Sequence, residues 1–307
     1  MTWTEWSLVD EAPHGWSHHG LAVLTDGTVV GYHPGERRLL FFDPDGGLRR
    51  AVDCDAVEAH DLAVADEGLW VADCGHKLAR GDDGQFGPVP AVAAARGQVL
   101  LVDLDGHTLR AITSVDHPAY RAGGAFLPTG VAVDDRGLWI ADGYGSNLVH
   151  LVDHDGQVLL TLDGFDCPHG IVIDRRRPEA LLYIAERGKH RVCVYGLDGT
   201  FVRHAGEGDL IAPCSLATFG QHLAVADLIG RVTVLDLDDQ LVEHLGGDRE
   251  ATKRPGWPNA LDEDGSAVAP TPAPERFNSP HGVVADEHGA LYVTEWLLGG
   301  RWIRVTG

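Results

Sequence analysis

An all-β chain folded as a six-bladed β-propeller is what this sequence of 307 residues predicts. Three observations carry the prediction. One short phrase recurs: "HHGLAVL" from His18, "EAHDLAV" from Glu58, "LPTGVAV" from Leu127, "CPHGIVI" from Cys167, "APCSLAT" from Ala212 and "SPHGVVA" from Ser279. Its landmark residues are His19, His60, Thr129, His169, Cys214 and His281, separated by 41, 69, 40, 45 and 67 positions. Behind the phrase comes a second apolar run that ends on an acid in five units: "LWVAD", "LWIAD", "LYIAE", "LAVAD" and "LYVTE". A third run then enters a turn, as in "LLFFDPDGG", "VLLVDLDGH", "LVHLVDHDG", "VCVYGLDG" and "VTVLDLDD". Short apolar runs broken by Asp-Gly turns signal hairpins. Four such strands about every 40 residues are a propeller blade, and closing the blades into a ring removes long exposed sheet edges.

Taken in chain order, "TWTEWSLVD" has no landmark but is strand-like. The sixth unit has three strands before the chain ends at "RWIRVTG". The N-terminal strand is therefore expected to join the C-terminal blade as its outer strand and close the ring. The whole of 1–307 reads as one propeller domain, with insertions near 77–97 and 248–278 that account for the two long spacings. Loops of that length are often lids or partner contacts. The "DxDG" turns lack the twelve-residue spacing and final glutamate of a calcium loop, and read as hairpin turns. No segment shows a convincing helical period.

Composition narrows the function. Asp and Glu outnumber Lys and Arg by 46 to 24, for a formal charge of -22. Phosphate binding needs a basic face, and none is visible, so nucleic acid is not an expected partner. No apolar run approaches the roughly 20 residues of a membrane helix, and the first residues lack a basic start and an apolar core. The sequence thus predicts a cytoplasmic protein with no membrane partner. Its five cysteines are odd in number and never spaced CxxC, which argues against a disulfide framework or a cysteine zinc site.

The innermost strand of each blade runs along the propeller axis, so the landmark residues gather at one mouth. Blades two, four and six alternate around the ring. His60, His169 and His281 should therefore meet as a near-threefold set, the arrangement of a zinc site that keeps one position open. Cysteine and threonine fill the same slot elsewhere, so the turn itself does not require histidine. His19 lies in a blade beside two of the trio. It reads as a residue supporting the ligands, a substrate contact or a structural residue. His33, Cys74, His76 and Trp296, in comparable loops, are candidates to line the pocket.

The blade phrases resemble NHL-type repeats, and the chain is similar to peptidylglycine α-hydroxyamidating lyases, which are six-bladed propellers. "LPTGVAVDDRGLWIADGYGSN" (127–147) is similar to the segment that carries the family's catalytic tyrosine. "CPHGIVIDRRRPEALLYIAERGKHRVCVYGLDGTFVRH" (167–204) is similar to the segment that carries a zinc histidine and an active-site arginine. The resemblance implies Tyr144 and Arg187 as catalytic residues and His60, His169 and His281 as zinc ligands. Two positions depart from it. Gly145 follows Tyr144 where the family has a disulfide cysteine. Gly282 follows the last histidine where the family places a calcium carboxylate, and Asp61 holds the analogous place after His60. Calcium at Asp61 is accordingly a secondary, structural expectation.

The reading is a zinc-dependent carbon–nitrogen lyase acting on a carbinolamide-type acid, N–CH(OH)–COO⁻, a small molecule bearing a carboxylate. Arginine suits that carboxylate by bidentate pairing. The nearby cation is expected to lower the pKa of Tyr144 and make it the base. A metal-dependent hydratase or hydrolase, a calcium lactonase and a non-catalytic NHL scaffold remain alternatives. A lactonase would need carboxylates and asparagines where the landmarks offer histidine.

Overall fold

The computed structural model describes the chain apart from residues 7–14, 16, 76–77, 81–85, 89–95, 255–256 and 259–270. It is a ring of six antiparallel four-stranded sheets. Blade one comprises Ala22–Val23, Val29–Tyr32, Arg38–Phe42 and Leu48–Asp53. Blade two comprises Ala59–Ala65, Gly68–Asp73, Gln98–Val102 and Thr108–Ile112, and blade three Gly130–Asp134, Gly137–Asp142, Leu148–Val152 and Val158–Leu162. Blade four runs through Pro168–Asp174, Leu181–Glu186, Arg191–Gly196 and Phe201–Ala205. Blade five has Pro213–Phe219, His222–Asp227, Arg231–Leu235 and Leu241–Leu245. The sixth has Pro280–Ala285, Leu291–Glu295 and Arg301–Thr306, and Thr2–Trp6 pairs with Arg301–Thr306 from Thr2↔Thr306 to Trp6↔Trp302. The closure expected from sequence is therefore present. Within the insertions, Leu78–Arg80 pairs with Phe86–Pro88, and Trp257 Nε1 donates to the Asn278 carbonyl at 2.7 Å. A single helical turn, Pro118–Arg121, links blades two and three.

Side chains alternate across a strand, so a blade held between two neighbours must bury both faces. Leu39 and Phe41 pack towards blade two, while Leu40 and Phe42 of the same strand pack towards blade six. Leu138 and Ile140 face blade two, and Trp139 and Ala141 face blade four. The apolar interior is thus six clusters between blades rather than one central core. Outer strands such as Leu48–Asp53 remain largely exposed.

Two local devices fix the inner strands. The first is the acid that closes the second strand. Asp73 accepts from the backbone N–H of Val57, Glu58 and Gly75, and Asp142 from Leu127 and Ser146. Glu186 accepts from Asp166, Asp227 from Ile211 and Ala212, and Glu295 from Asn278 and Ser279. Each carboxylate ties down backbone in the loop before a landmark. Blade one closes instead on Tyr32, whose hydroxyl donates to the Ala56 carbonyl at 2.5 Å. The second device is the glycine after the landmark. A Cβ at Gly130 would stand 2.4 Å from the His169 carbonyl oxygen, and one at Gly170 2.4 Å from that of Cys214. Glycine is there so that the next blade's backbone can approach.

Gly170→Ala should accordingly destabilise the protein by about 1–3 kcal/mol through overpacking. Chemical denaturation checks this, and an unchanged midpoint would contradict the close approach.

Candidate functional site

The landmark loops bring a cluster of histidines to the axis. His60 and His169 are 2% and 1% exposed, and His281 2%. Their ring centroids lie 4.6 Å apart for His60–His169, 4.8 Å for His60–His281 and 5.0 Å for His169–His281. Orientation comes from the neighbouring blade. His60 Nδ1 bonds the carbonyl of Thr129 at 2.6 Å, and His169 Nδ1 that of Cys214 at 2.8 Å. A carbonyl only accepts, so each Nδ1 carries the proton and Nε2 presents a lone pair. His281 turns towards the His19 carbonyl more loosely. Neither of its ring nitrogens reaches a hydrogen bond of good geometry among the described residues.

A fourth axial ring is His18. Its centroid is 4.4 Å from that of His281 and 4.6 Å from that of His60. The blade-one landmark, His19, keeps the expected backbone register, with Gly20 N donating to the Ala59 carbonyl at 3.1 Å. Its side chain goes elsewhere: Nδ1 bonds the Gly20 carbonyl at 2.8 Å, and the ring packs against Trp302 at 5.5 Å. In "HHG" the two neighbours divide the work. The second sets the inter-blade packing and the first reaches the axis.

Tyr144, just past the end of the second strand of blade three, brings its hydroxyl into the cluster. The oxygen lies 3.2 Å from His60 Nε2, 3.1 Å from His169 Nε2 and 3.1 Å from His18 Nε2. Arg187, at the corresponding point of blade four, donates to it at 3.3 Å, with its guanidinium 5.3 Å from the ring centre. Burial raises the Tyr144 pKa, and Arg187 opposes the shift without overcoming it. The phenol of the chain itself is therefore held protonated, not lowered as its cationic neighbour alone would suggest. Desolvation likewise drives His18, His169 and His281 well below the ordinary imidazole value. Positive neighbours, Arg187 among them, push in the same direction.

Trp296 stands beside His18, with ring centroids 5.2 Å apart, and its indole N–H has no partner among the described residues. Cys74 is buried near enough to Tyr144 to raise its pKa. His33 Nδ1 accepts from the N–H of Gly35 and Glu36, capping a turn of blade one. His76 lies outside the described residues. Asp61 lines a channel of about 350 Å³ walled by the inner strands, with Leu62, Val131, Ile171, Ser215 and Val283. Its carboxylate accepts from Leu62 and Val131 N–H, and burial pushes its pKa up to about 7.

Among the described residues, potential metal donors form two compact groups, each with one ligand atom per residue and all within 4.8 Å: His18, His60 and His281, and His169, Cys214 and His281. His18 and Cys214 are the site residues that sequence reasoning did not select as ligands.

No family model and no curated protein matches the chain. Solved structures do match over nearly its whole length. A streptogramin B lyase aligns with a TM-score of 0.55 at 13% identity, covering 98% of this chain and 97% of that one. Virginiamycin B lyase from Staphylococcus aureus aligns with a TM-score of 0.59 at 12% identity, covering 99% of both chains. A gluconolactonase from Xanthomonas campestris gives 0.59 at 18%, covering 95% and 86%. The class these likenesses define is the six-bladed β-propeller.

The lowered histidines set a pH dependence. The unfolded chain binds protons that the native rings refuse, so it holds more protons below its own histidine pKa of about 6.5. Stability of the chelated protein should fall as pH drops through about 6.5 and on towards the depressed native values. His18→Gln should make that slope shallower. Denaturation midpoints measured between about pH 8 and pH 5 test it, and a flat profile would contradict the assignment.

Proposed function

We propose that the axial cluster is the active site of a metal-dependent lyase that cleaves the carbon–nitrogen bond of a carbinolamide-type acid. The observation that carries the reading is the Tyr144 hydroxyl, set among three imidazole Nε2 atoms and the Arg187 guanidinium. The likeness of 127–147 and 167–204 to amidating lyases supports it. So does the company of lyases and a gluconolactonase on the same fold.

The donor chemistry fits a divalent metal such as zinc. The lowered pKa values of His169 and His281 favour the neutral imidazole that ligates metals, and neither ring nitrogen of His281 makes a hydrogen bond of good geometry among the described residues. His60, His169 and His281 would hold the ion, with His18 beside them. A bound zinc would supply Lewis acidity towards the substrate hydroxyl. Arg187 pairs with the substrate carboxylate and fixes the carbinol carbon beside Tyr144. Burial holds Tyr144 protonated in the chain alone, so it would first have to give up its own proton to solvent, an ionisation that a bound cation beside it would favour; the phenolate then takes the substrate hydroxyl proton. The C–O bond becomes a carbonyl, the C–N bond breaks, and Tyr144 returns the proton to the departing nitrogen. The products are an amide and an oxo acid. Calcium against Asp61 is the accompanying structural proposal, since that carboxylate meets only backbone amides among its described partners.

With zinc-loaded protein and small N-acyl-α-hydroxyglycines, Tyr144→Phe should lower kcat by about 10²–10⁴. Arg187→Ala should raise KM for the acids far more than for the corresponding esters. Release of oxo acid is the measurement, and no turnover of any carbinolamide acid would remove the proposal.

A further inference from the structure

One buried side chain at the axis has no part in that reaction. Cys214 is the blade-five landmark and is fully buried. Its backbone carbonyl accepts from His169 Nδ1 at 2.8 Å, so the residue that aims the imidazole also carries a sulfur beside it. Sγ, one ring nitrogen of His169 and one of His281 all lie within 4.8 Å of one another. The thiol donates to the Ala212 carbonyl at 3.5 Å, and the Arg187 guanidinium also faces the sulfur. His281, in the same group, is 2% exposed, and neither ring nitrogen makes a hydrogen bond of good geometry among the described residues, although the ring turns towards the His19 carbonyl.

We propose that Cys214 is a metal ligand, its thiolate joining His169 and His281, with His60 of the axial set, in a mixed nitrogen–sulfur site that substrate would enter as a fifth ligand. A tetrahedral zinc with these donors separates its ligand atoms by roughly 3.3–3.6 Å, so from separations within 4.8 Å a contraction of at most about 1.5 Å per pair is all the group needs. The carbonyl of Cys214 and the glycine contact at Gly170 hold His169 and Cys214 on one rigid edge between blades four and five. Binding exchanges the thiol proton for the metal, and that proton leaves to solvent. Sulfur makes the site soft. It favours zinc, cadmium or cobalt over calcium and magnesium. The inference rests on the axial metal proposed above, but not on any reaction at it.

X-ray absorption of the zinc-loaded protein tests it. Wild type should show one sulfur at about 2.3 Å together with nitrogens at about 2.0–2.1 Å. Cys214→Ser should lose the sulfur shell and at least about tenfold in zinc affinity, while Cys167→Ser keeps both. Cobalt-loaded wild type should show a thiolate-to-metal charge-transfer band, a readout that stands even if Cys214→Ser fails to fold. A shell of nitrogen and oxygen alone in wild type would overturn the Cys214 assignment and leave the lyase proposal standing. A sulfur that survives Cys214→Ser would also overturn it. Failure to bind any of these metals would remove both.

Discussion

The site depends on the buried carboxylates that close the second strands of blades two to six. A landmark histidine can reach the axis only if the loop before it is held at a fixed height, and loops carry backbone N–H groups that must be satisfied. Asp73, Glu186 and Glu295 meet this need before His60, His169 and His281 by accepting from the loop backbone. Hydrogen bonds to a charged acceptor contribute about 1.5–3 kcal/mol each, and a buried amide left alone costs about as much. Several of the acids also carry a cationic partner: Lys189 and Arg191 for Glu186, Arg231 for Asp227, Arg301 for Glu295. Position at the axis is therefore set by buried electrostatics, while the rest of each blade is set by apolar packing.

A second constraint passes from blade to blade. The proton on His60 Nδ1 goes to the Thr129 carbonyl, and that on His169 Nδ1 to the Cys214 carbonyl. Blades three and five thus fix the tautomers of blades two and four. Glycine after the landmark makes the close approach possible, since any Cβ at Gly130 or Gly170 would collide with the next blade's landmark carbonyl. This explains why threonine or cysteine suffices in the alternate blades. For orienting the histidines those blades need supply only a carbonyl, which every residue has.

The same logic separates what was legible in the sequence from what was not. Strand repeats, blade number and ring closure follow from spacing and alternation, which the two-sided burial of each blade enforces. His60, His169 and His281 follow from the sixfold count, and Tyr144 and Arg187 from a local family likeness. His18 was hidden because "HHG" offers two histidines to one slot. Only the packing of His19 against Trp302 decides which one turns inward. Cys214 was hidden because a landmark cysteine without a CxxC partner reads as ordinary packing, and its closeness to His169 and His281 exists only once the ring has closed. The raised Tyr144 pKa was hidden for a different reason: residue types reveal a nearby cation, but not the desolvation that outweighs it.

The chemistry of the axis also weighs between the lyase and lactonase readings. A calcium lactonase needs hard oxygen donors where the metal sits. Here the mouth holds four imidazoles, a phenol, a guanidinium and a thiol. Asp61 lines the channel of the inner strands, and its described bonds go to the Leu62 and Val131 amides. One carboxylate could hold at most a structural calcium there and does not supply the set of oxygen donors a calcium lactonase needs. Nitrogen donors made neutral by burial are good ones for zinc. Desolvation therefore works in opposite senses on the two candidate metals. It pushes the Asp61 carboxyl up to about 7 and holds the imidazoles of His169 and His281 below their ordinary value, which supports the nitrogen-ligated metal proposed above over an oxygen-ligated one.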